Sequence, residues 1–106
     1  MIVYTLQIVV PDRQREEALE ILRMYEGPTC HQPGCISCHS FQALDKENSF
    51  ILIEMWMSQA YLDRHICSSD YRKVLTLMDI SHEPPEIKFH TVWNSAGMEL
   101  LEKLRG

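Results

Sequence analysis

His65 is the residue of this chain whose type and position best suit proton transfer. A helix is predicted from Gln59, because Ser58 can cap its first turn and apolar residues follow at helical spacing. His65 lies one turn after Tyr61 on the apolar side of that helix. A histidine with an ordinary pKa of about 6.5 exchanges protons near neutral pH. The alternative is a structural histidine that is hydrogen-bonded to Glu54 or to a backbone carbonyl.

Two aromatic residues near that helix could line an apolar pocket. Trp56 closes the preceding strand and Tyr61 lies on the apolar helix face, positions that are also typical of a packed core. His39 is a second histidine that could point into a cavity, because strand alternation places it on one face with Cys35 and Phe41. The sequence leaves open which sheet face lines such a cavity.

Cysteine and histidine are concentrated between Cys30 and His39. The run from Cys35 has the C-x-x-C-H spacing through which heme c is attached. Zinc is a second alternative, with Cys30, Cys35 and Cys38 as ligands beside a histidine such as His39. The third is a set of reduced cysteines packed where the sheet meets the helices. Alternation would send Cys35 and Cys38 to opposite strand faces, so we favour the third alternative and predict no metal and no heme.

Hydrophobic periodicity predicts the elements that position these residues. Strands are predicted over about 2–10, 35–44, 49–56 and 87–93. One helix is predicted from Pro11-Asp12 to Gly27-Pro28, with the apolar stripe Ala18, Ile21, Leu22 and Tyr25. After a break near 67–69, another helix carries the stripe Tyr71, Val74, Leu75 and Met78. A capped amphipathic helix is predicted over 95–105.

The order β-α-β-β-α-β predicts an α+β, ferredoxin-like fold, with one antiparallel sheet and its helices on one face. We expect residues 1–106 to form a single domain. The other sheet face carries apolar residues such as Val3, Val9 and Ile53. The sheet of a second subunit is the simplest cover for them, so we predict a homodimer.

Charge and hydropathy argue against two classes of partner. The net charge is −5 and no cluster of Lys or Arg is present, which disfavours nucleic acid and anionic membranes. The apolar runs are shorter than the roughly 20 residues that a membrane span needs. No basic residue precedes the apolar part of the first ten residues, so we predict a cytoplasmic location.

The pattern around His65 resembles the antibiotic biosynthesis monooxygenase family. The residues that carry the resemblance are Glu54-x-Trp56-x-Ser58, then His65, Ser69 and Tyr71. Agreement extends to Pro33-Gly34-Cys35, to the turn over 45–48 and to the Glu83-Pro84-Pro85-Glu86 stretch. Together these positions cover nearly the whole chain in the expected order.

The resemblance implies a dimeric α/β barrel with a ligand cavity beside His65, and His65 as the catalytic base. The pocket expected on this basis comprises Thr5, Gln7, His39, Glu54, Trp56, Tyr61 and Tyr71. The family includes heme-degrading enzymes, which use an Asn, a Trp and a His. This chain offers Thr5 or Gln7, then His65, and then Leu75 at the corresponding stretches, so heme degradation is disfavoured.

The family also includes oxygenases of quinol-like aromatic molecules that work without a cofactor. The resemblance therefore predicts a monooxygenase of a quinol-like or polyphenolic molecule that needs neither metal nor flavin. The alternative is a noncatalytic dimer on the same fold that binds or senses a small aromatic ligand, with His65 in a structural role.

Overall fold

The computed structural model describes all 106 residues and confirms the predicted α+β, ferredoxin-like fold. Its antiparallel sheet has the order β2-β3-β1-β4, with strands β1 (Ile2–Val9), β2 (Cys35–Gln42), β3 (Ser49–Trp56) and β4 (Glu86–Thr91). Its α-helices are α1 (Arg15–Cys30), α2 (Gln59–Ile66), α3 (Arg72–Ile80) and α4 (Met98–Arg105). Short 3-10 turns precede α1 and α3, at Asp12–Gln14 and Ser69–Tyr71.

The core lies between one face of the sheet and the helices. β1 is a central strand, in which Tyr4 lies opposite Glu54 of β3 and opposite Phe89 of β4. Because side chains alternate along a strand, every second residue of β1 is buried on this face: Ile2, Tyr4, Leu6 and Ile8. The helices bury their apolar stripes against it through Ala18, Leu22, Leu62, Val74 and Leu77. The opposite sheet face leaves residues such as Ile51 and Ile53 half-buried.

The predicted end of α1 at Gly27-Pro28 is wrong, because the helix continues to Cys30. Pro28 lies in the last turn of the helix, where the loss of its N–H interrupts the ladder near the helix end, and the N–H of His31 bonds to the carbonyl of Pro28 at 3.2 Å. The two additional helical residues bury Thr29 and place Cys30 against β2.

Strict alternation along β2 is also wrong at its start. A β-bulge between Cys35 and Ser37 lets Cys35 lie opposite Trp56 while Cys38 lies opposite Glu54. Trp56 and Glu54 share the face that the helices cover, so both cysteines lie on that face. Cys35 therefore does not share a face with His39.

Two helical stripes differ in detail from the prediction. In α3, Leu77 is buried where Leu75 was expected, and Leu75 is exposed. The last helix begins at Met98 instead of residue 95, and no side chain caps its first turn. β2 and β4 each end two residues before the predicted position. None of the helices combines the length and apolar character that a bilayer span requires.

Gly34 allows the turn that leads into β2. Its φ of 82° lies in the left-handed region, and an added Cβ would collide with the ring of Tyr61. We expect Gly34→Ala to lower the free energy of unfolding by about 1–3 kcal/mol, as measured by urea denaturation. Gly27→Ala is the matched control, because a Cβ in that helical position meets open space. Equal stability of the two variants would contradict this account of the turn.

Candidate functional site

The imidazole of His65 is buried beneath α2, among aromatic rings. Only 3% of the residue is exposed. The ring stacks on Trp56 at 4.7 Å between centroids, and the ring of Tyr71 meets it edge-on at 5.8 Å. The predicted helix from Gln59 is confirmed, although the Ser58 side chain makes no capping hydrogen bond. Leu62 and His65 are the buried residues of this helix, so His65 points to the sheet.

Glu54 is the acidic partner of this cluster and is completely buried. Its Oε2 accepts a hydrogen bond of 2.6 Å from the Tyr25 hydroxyl, and its Oε1 accepts one of 2.9 Å from the indole N–H of Trp56. The Tyr25 oxygen also lies 2.6 Å from Nε2 of His65. Tyr25 therefore bridges Glu54 and His65.

The hydrogen bonds of Tyr25 decide the tautomer of His65, because a hydroxyl has one proton to donate. When that proton is donated to the Glu54 carboxylate, Nε2 of His65 must carry a proton and donate it to the tyrosine oxygen. This assignment leaves Nδ1 of His65 unprotonated, and Nδ1 is a buried atom without a hydrogen-bond partner. The cluster thus presents one unused proton acceptor.

Burial decides where an additional proton is held. Burial raises the pKa of Glu54 above its usual range, although hydrogen bonds from Tyr25 and Trp56 oppose the shift. Burial lowers the pKa of His65, and the negative charge of Asp70 opposes that shift in part. When the cluster takes up one additional proton, these opposite shifts favour a protonated Glu54 carboxyl group beside a neutral His65 over a charged pair.

A second pair of buried hydroxyls lies beside His65. The hydroxyl oxygens of Tyr4 and Tyr71 are 2.8 Å apart, and burial raises the pKa of both groups. The ring of Phe89 meets that of Tyr4 at 5.0 Å, and Phe89 is 48% exposed. Aromatic rings therefore connect His65 to the surface at β4.

The structure brings some of the predicted site residues together and separates others. Glu54, Trp56 and Tyr71 contact or surround His65. Tyr61 lies on the same helix but is only half-buried, against Gly34 and the Arg64 guanidinium. The remaining three do not join the cluster: Thr5, Gln7 and His39.

Thr5 and Gln7 are not part of the cluster because they alternate with the inward-facing Tyr4 and Leu6 on β1. Both line a shallow depression on the opposite sheet face. His39 is exposed at the edge strand β2, where its Nδ1 lies 3.4 Å from a Glu26 carboxylate oxygen.

Tyr25 and Tyr4 belong to the cluster and were not singled out from the sequence as functional. Tyr25 was recognised only as a member of the apolar stripe of α1. The sequence did indicate that Tyr25 and Glu54 could pair. A buried tyrosine hydroxyl needs a hydrogen-bond partner, and Glu54 lies in an apolar strand, where a buried carboxyl group also needs one. Pairing the two required knowledge of how α1 crosses the sheet.

No cavity opens onto His65. The four surface cavities lie elsewhere, and none is lined by His65, Glu54 or Tyr25. A ligand can therefore reach Nδ1 of His65 only after a neighbouring side chain has moved.

The cysteines have no arrangement that suits a metal. No group of three or more Cys, His, Asp or Glu side chains is placed to hold an ion. The zinc alternative therefore has no ligand set here. All four cysteines are free thiols.

The sheet topology and the buried cluster define a small ferredoxin-like α+β protein with a polar centre between sheet and helices. The family model for antibiotic biosynthesis monooxygenase matches residues 1–77, and the chain belongs to that family. This confirms the resemblance drawn from Glu54, Trp56, Ser58 and His65.

Solved structures show the same fold at low sequence identity. An antibiotic biosynthesis monooxygenase superposes with a TM-score of 0.79 at 19% identity, over 89% of this chain and 100% of that one. Rv0793 from Mycobacterium tuberculosis gives a TM-score of 0.81 at 18% identity, covering 91% and 98% of the two chains. PA3566 from Pseudomonas aeruginosa gives 0.76 at 18% identity, covering 88% and 94%.

One curated relative is the uncharacterized protein sll1783 of Synechocystis, which is 29% identical over 85 residues. The match covers 79% of this chain but only 57% of that protein. The relative is thus considerably longer than the region it shares with this chain.

Proposed function

We propose that this chain is a cytoplasmic monooxygenase that oxidises a quinol-like or polyphenolic aromatic molecule with dioxygen, without a metal or flavin. The observation that carries the proposal is the free Nδ1 of His65, backed by Tyr25 and Glu54 in a buried hydrogen-bonded chain. Membership of the antibiotic biosynthesis monooxygenase family supports the reaction class.

The cluster can accept a proton and move it away from the substrate. A phenolic O–H would donate its proton to Nδ1 of His65, and Nε2 would pass its own proton to Tyr25 as Tyr25 passes one to Glu54. The raised pKa of Glu54 and the lowered pKa of His65 favour this final distribution, with a neutral imidazole and a protonated acid. The resulting phenolate is electron-rich and reacts more readily with dioxygen.

The reaction is balanced without a further reductant. A hydroquinone and dioxygen give a hydroxyquinone and water, so the substrate supplies both electrons that reduce the second oxygen atom. The role of the protein is to remove the proton and to exclude bulk water from the anion.

The aromatic rings near β4 suggest the direction from which a ligand enters. Tyr71 belongs to the short turn between α2 and α3, and its hydroxyl makes one side-chain bond, to Tyr4. Displacement of Tyr71 would uncover His65, while Phe89 and Tyr4 would offer aromatic surfaces to an aromatic ligand.

The direct test is oxygen consumption with a panel of hydroquinones. With isotopically labelled dioxygen, one labelled atom should appear in the hydroxyquinone and one in water. Failure to consume oxygen with every hydroquinone that binds would overturn the proposal.

A noncatalytic ligand-binding dimer is the second candidate, because the bonds from Tyr25 to Glu54 and to His65 also suit a structural histidine that holds α2 to the sheet. Trp56 stacks directly on His65, so ligand entry should change its fluorescence. Trp93 is exposed, and Trp93→Phe removes its background signal. Saturable quenching without oxygen consumption would favour this second candidate.

A homodimer through the sheet face opposite the helices is part of the proposal. Ile51, Ile53 and Met55 are half-buried on that face, beside the exposed Phe41. Light scattering at micromolar concentration should report about twice the chain mass of 12.4 kDa. Ile53→Asp should give a monomer, whereas Leu75→Asp, at an exposed position of α3, should not. A wild-type monomer at this concentration would contradict the dimer.

A further inference from the structure

Two cysteine sulfurs lie over consecutive carbonyl groups of β2, outside the His65 cluster. The thiol of Cys30 donates to the carbonyl of Cys38 at 3.3 Å, and the thiol of Cys35 donates to the carbonyl of Ser37 at 3.5 Å. Both side chains are partly buried and pack against the main core cluster between the sheet and the helices. The two additional residues of α1 and the bulge at Ile36 bring Cys30 and Cys35 to one side of β2.

Access from solvent differs between these thiols. Cys38 is completely buried, whereas Cys30 and Cys35 are half-buried. A groove of about 430 Å³ reaches Cys30 at the end of α1 and is lined by Arg23, Glu26, Gly27, Cys30 and His31. Cys35 does not line this groove, so a reagent in the groove meets Cys30 first.

We propose that Cys30 and Cys35 are an oxidisable thiol pair, in which Cys30 reacts with a low-molecular-weight disulfide in this groove and Cys35 then closes an internal disulfide. Only four residues separate the two cysteines. The loop folds back on itself, since the N–H of Cys35 bonds to the carbonyl of Gln32 at 3.1 Å.

The chemistry is two successive thiol–disulfide exchanges. The Cys30 thiolate attacks one sulfur of glutathione disulfide, forms a mixed disulfide and releases one glutathione thiolate. The Cys35 thiolate then attacks the Cys30 sulfur and releases the second glutathione. The two protein thiols lose two electrons and two protons, which the two glutathione molecules gain.

The environment of Cys35 explains why it acts second. Burial raises the pKa of the Cys35 thiol to about 11, and a negative charge on Cys30 adds to the shift. Once Cys30 is in a mixed disulfide it carries no charge, so this second contribution disappears. Cys35 then loses its proton more readily and can attack the Cys30 sulfur.

The internal disulfide would join the end of α1 to the start of β2. Both elements border the His65 cluster, because α1 carries Tyr25 and β2 pairs with β3 at Glu54. Oxidation would therefore link two of the elements that hold this cluster.

The test uses the Cys67→Ser protein, because the exposed Cys67 would otherwise react. After treatment with glutathione disulfide, intact mass should show a loss of two hydrogens, and peptide mapping should link Cys30 to Cys35. Adding Cys35→Ser should leave one glutathione attached at Cys30. Adding Cys30→Ser should leave the mass unchanged, and dithiothreitol should reverse each modification.

Three results would overturn the inference. They are a mapped bond from Cys30 to Cys38, a persistent glutathione adduct while Cys35 is present, or an unchanged mass of the Cys67→Ser protein. If Cys35→Ser does not fold, as judged by its thermal midpoint, Cys35→Ala gives the same readout, since both remove the second thiol.

Discussion

Replacing His65 with alanine is expected to lower hydroquinone turnover by about 10²-fold or more, because the variant has no positioned base. Loss of the ring also leaves the Tyr25 hydroxyl with Glu54 as its only remaining partner and leaves a space beside Trp56. We therefore expect a stability loss of about 1–3 kcal/mol, which thermal unfolding measures separately from oxygen consumption. The ratio of the two effects distinguishes a catalytic from a structural histidine.

The matched control for this substitution is His82→Ala, in which an exposed histidine outside the cluster is removed. His82→Ala should keep both turnover and thermal midpoint. Unchanged turnover by folded His65→Ala protein would remove His65 from the mechanism. Turnover that falls only in step with the folded fraction would assign His65 a structural role.

Replacing Glu54 with glutamine is expected to remove turnover to a similar extent while the fold is kept. The amide can donate to the Tyr25 oxygen and accept from the Trp56 indole, so the contacts of the carboxylate are replaced. Tyr25 must then donate its proton to Nε2 of His65, which moves the imidazole proton to Nδ1. His65 would thus lose its free acceptor atom, and the chain would lose its final proton acceptor.

The free energy of unfolding should depend on pH differently in Glu54→Gln and in the wild type. Because the pKa of Glu54 is raised in the folded protein, its contribution to stability falls as pH rises from the ordinary value of 4.5 through the folded pKa. Because the pKa of His65 is lowered, its contribution falls as pH drops from 6.5 through the folded pKa. The two trends oppose each other in the wild type, and Glu54→Gln removes the first.

Relative to the wild type, Glu54→Gln should therefore gain stability as pH rises above 4.5 towards the folded pKa of Glu54, by at most about 1.4 kcal/mol per pH unit. Urea denaturation at several pH values measures this difference directly. A relative loss of stability over the same range would show that the folded protein favours the ionised carboxylate. Glu26→Gln is the control for activity, because Glu26 bonds to Ser40 outside the cluster.

Sequence periodicity was sufficient for the order of strands and helices along the chain and for the position of His65. The alternation of β1 and the short apolar run of β3 predict these two strands, and the helical stripe after Ser58 places His65 toward the sheet. These features depend on short-range patterns, in which neighbouring residues of one element share a face. The family resemblance rested on the same stretch and is confirmed by the family match over residues 1–77.

Contacts between elements that are distant in the sequence could not be predicted from periodicity within one element. Tyr25 and Glu54 are 29 residues apart, and their contact depends on where α1 crosses the sheet. One inserted residue at Ile36 brings Cys35 to the face of Cys38, because a bulge reverses the alternation that the sequence predicts. Thr5 and Gln7 likewise belong to the opposite face because Tyr4 and Leu6 occupy the core. The helices pack on the face of the sheet that carries the apolar side of β1, and this packing determines which residues of β1 are buried.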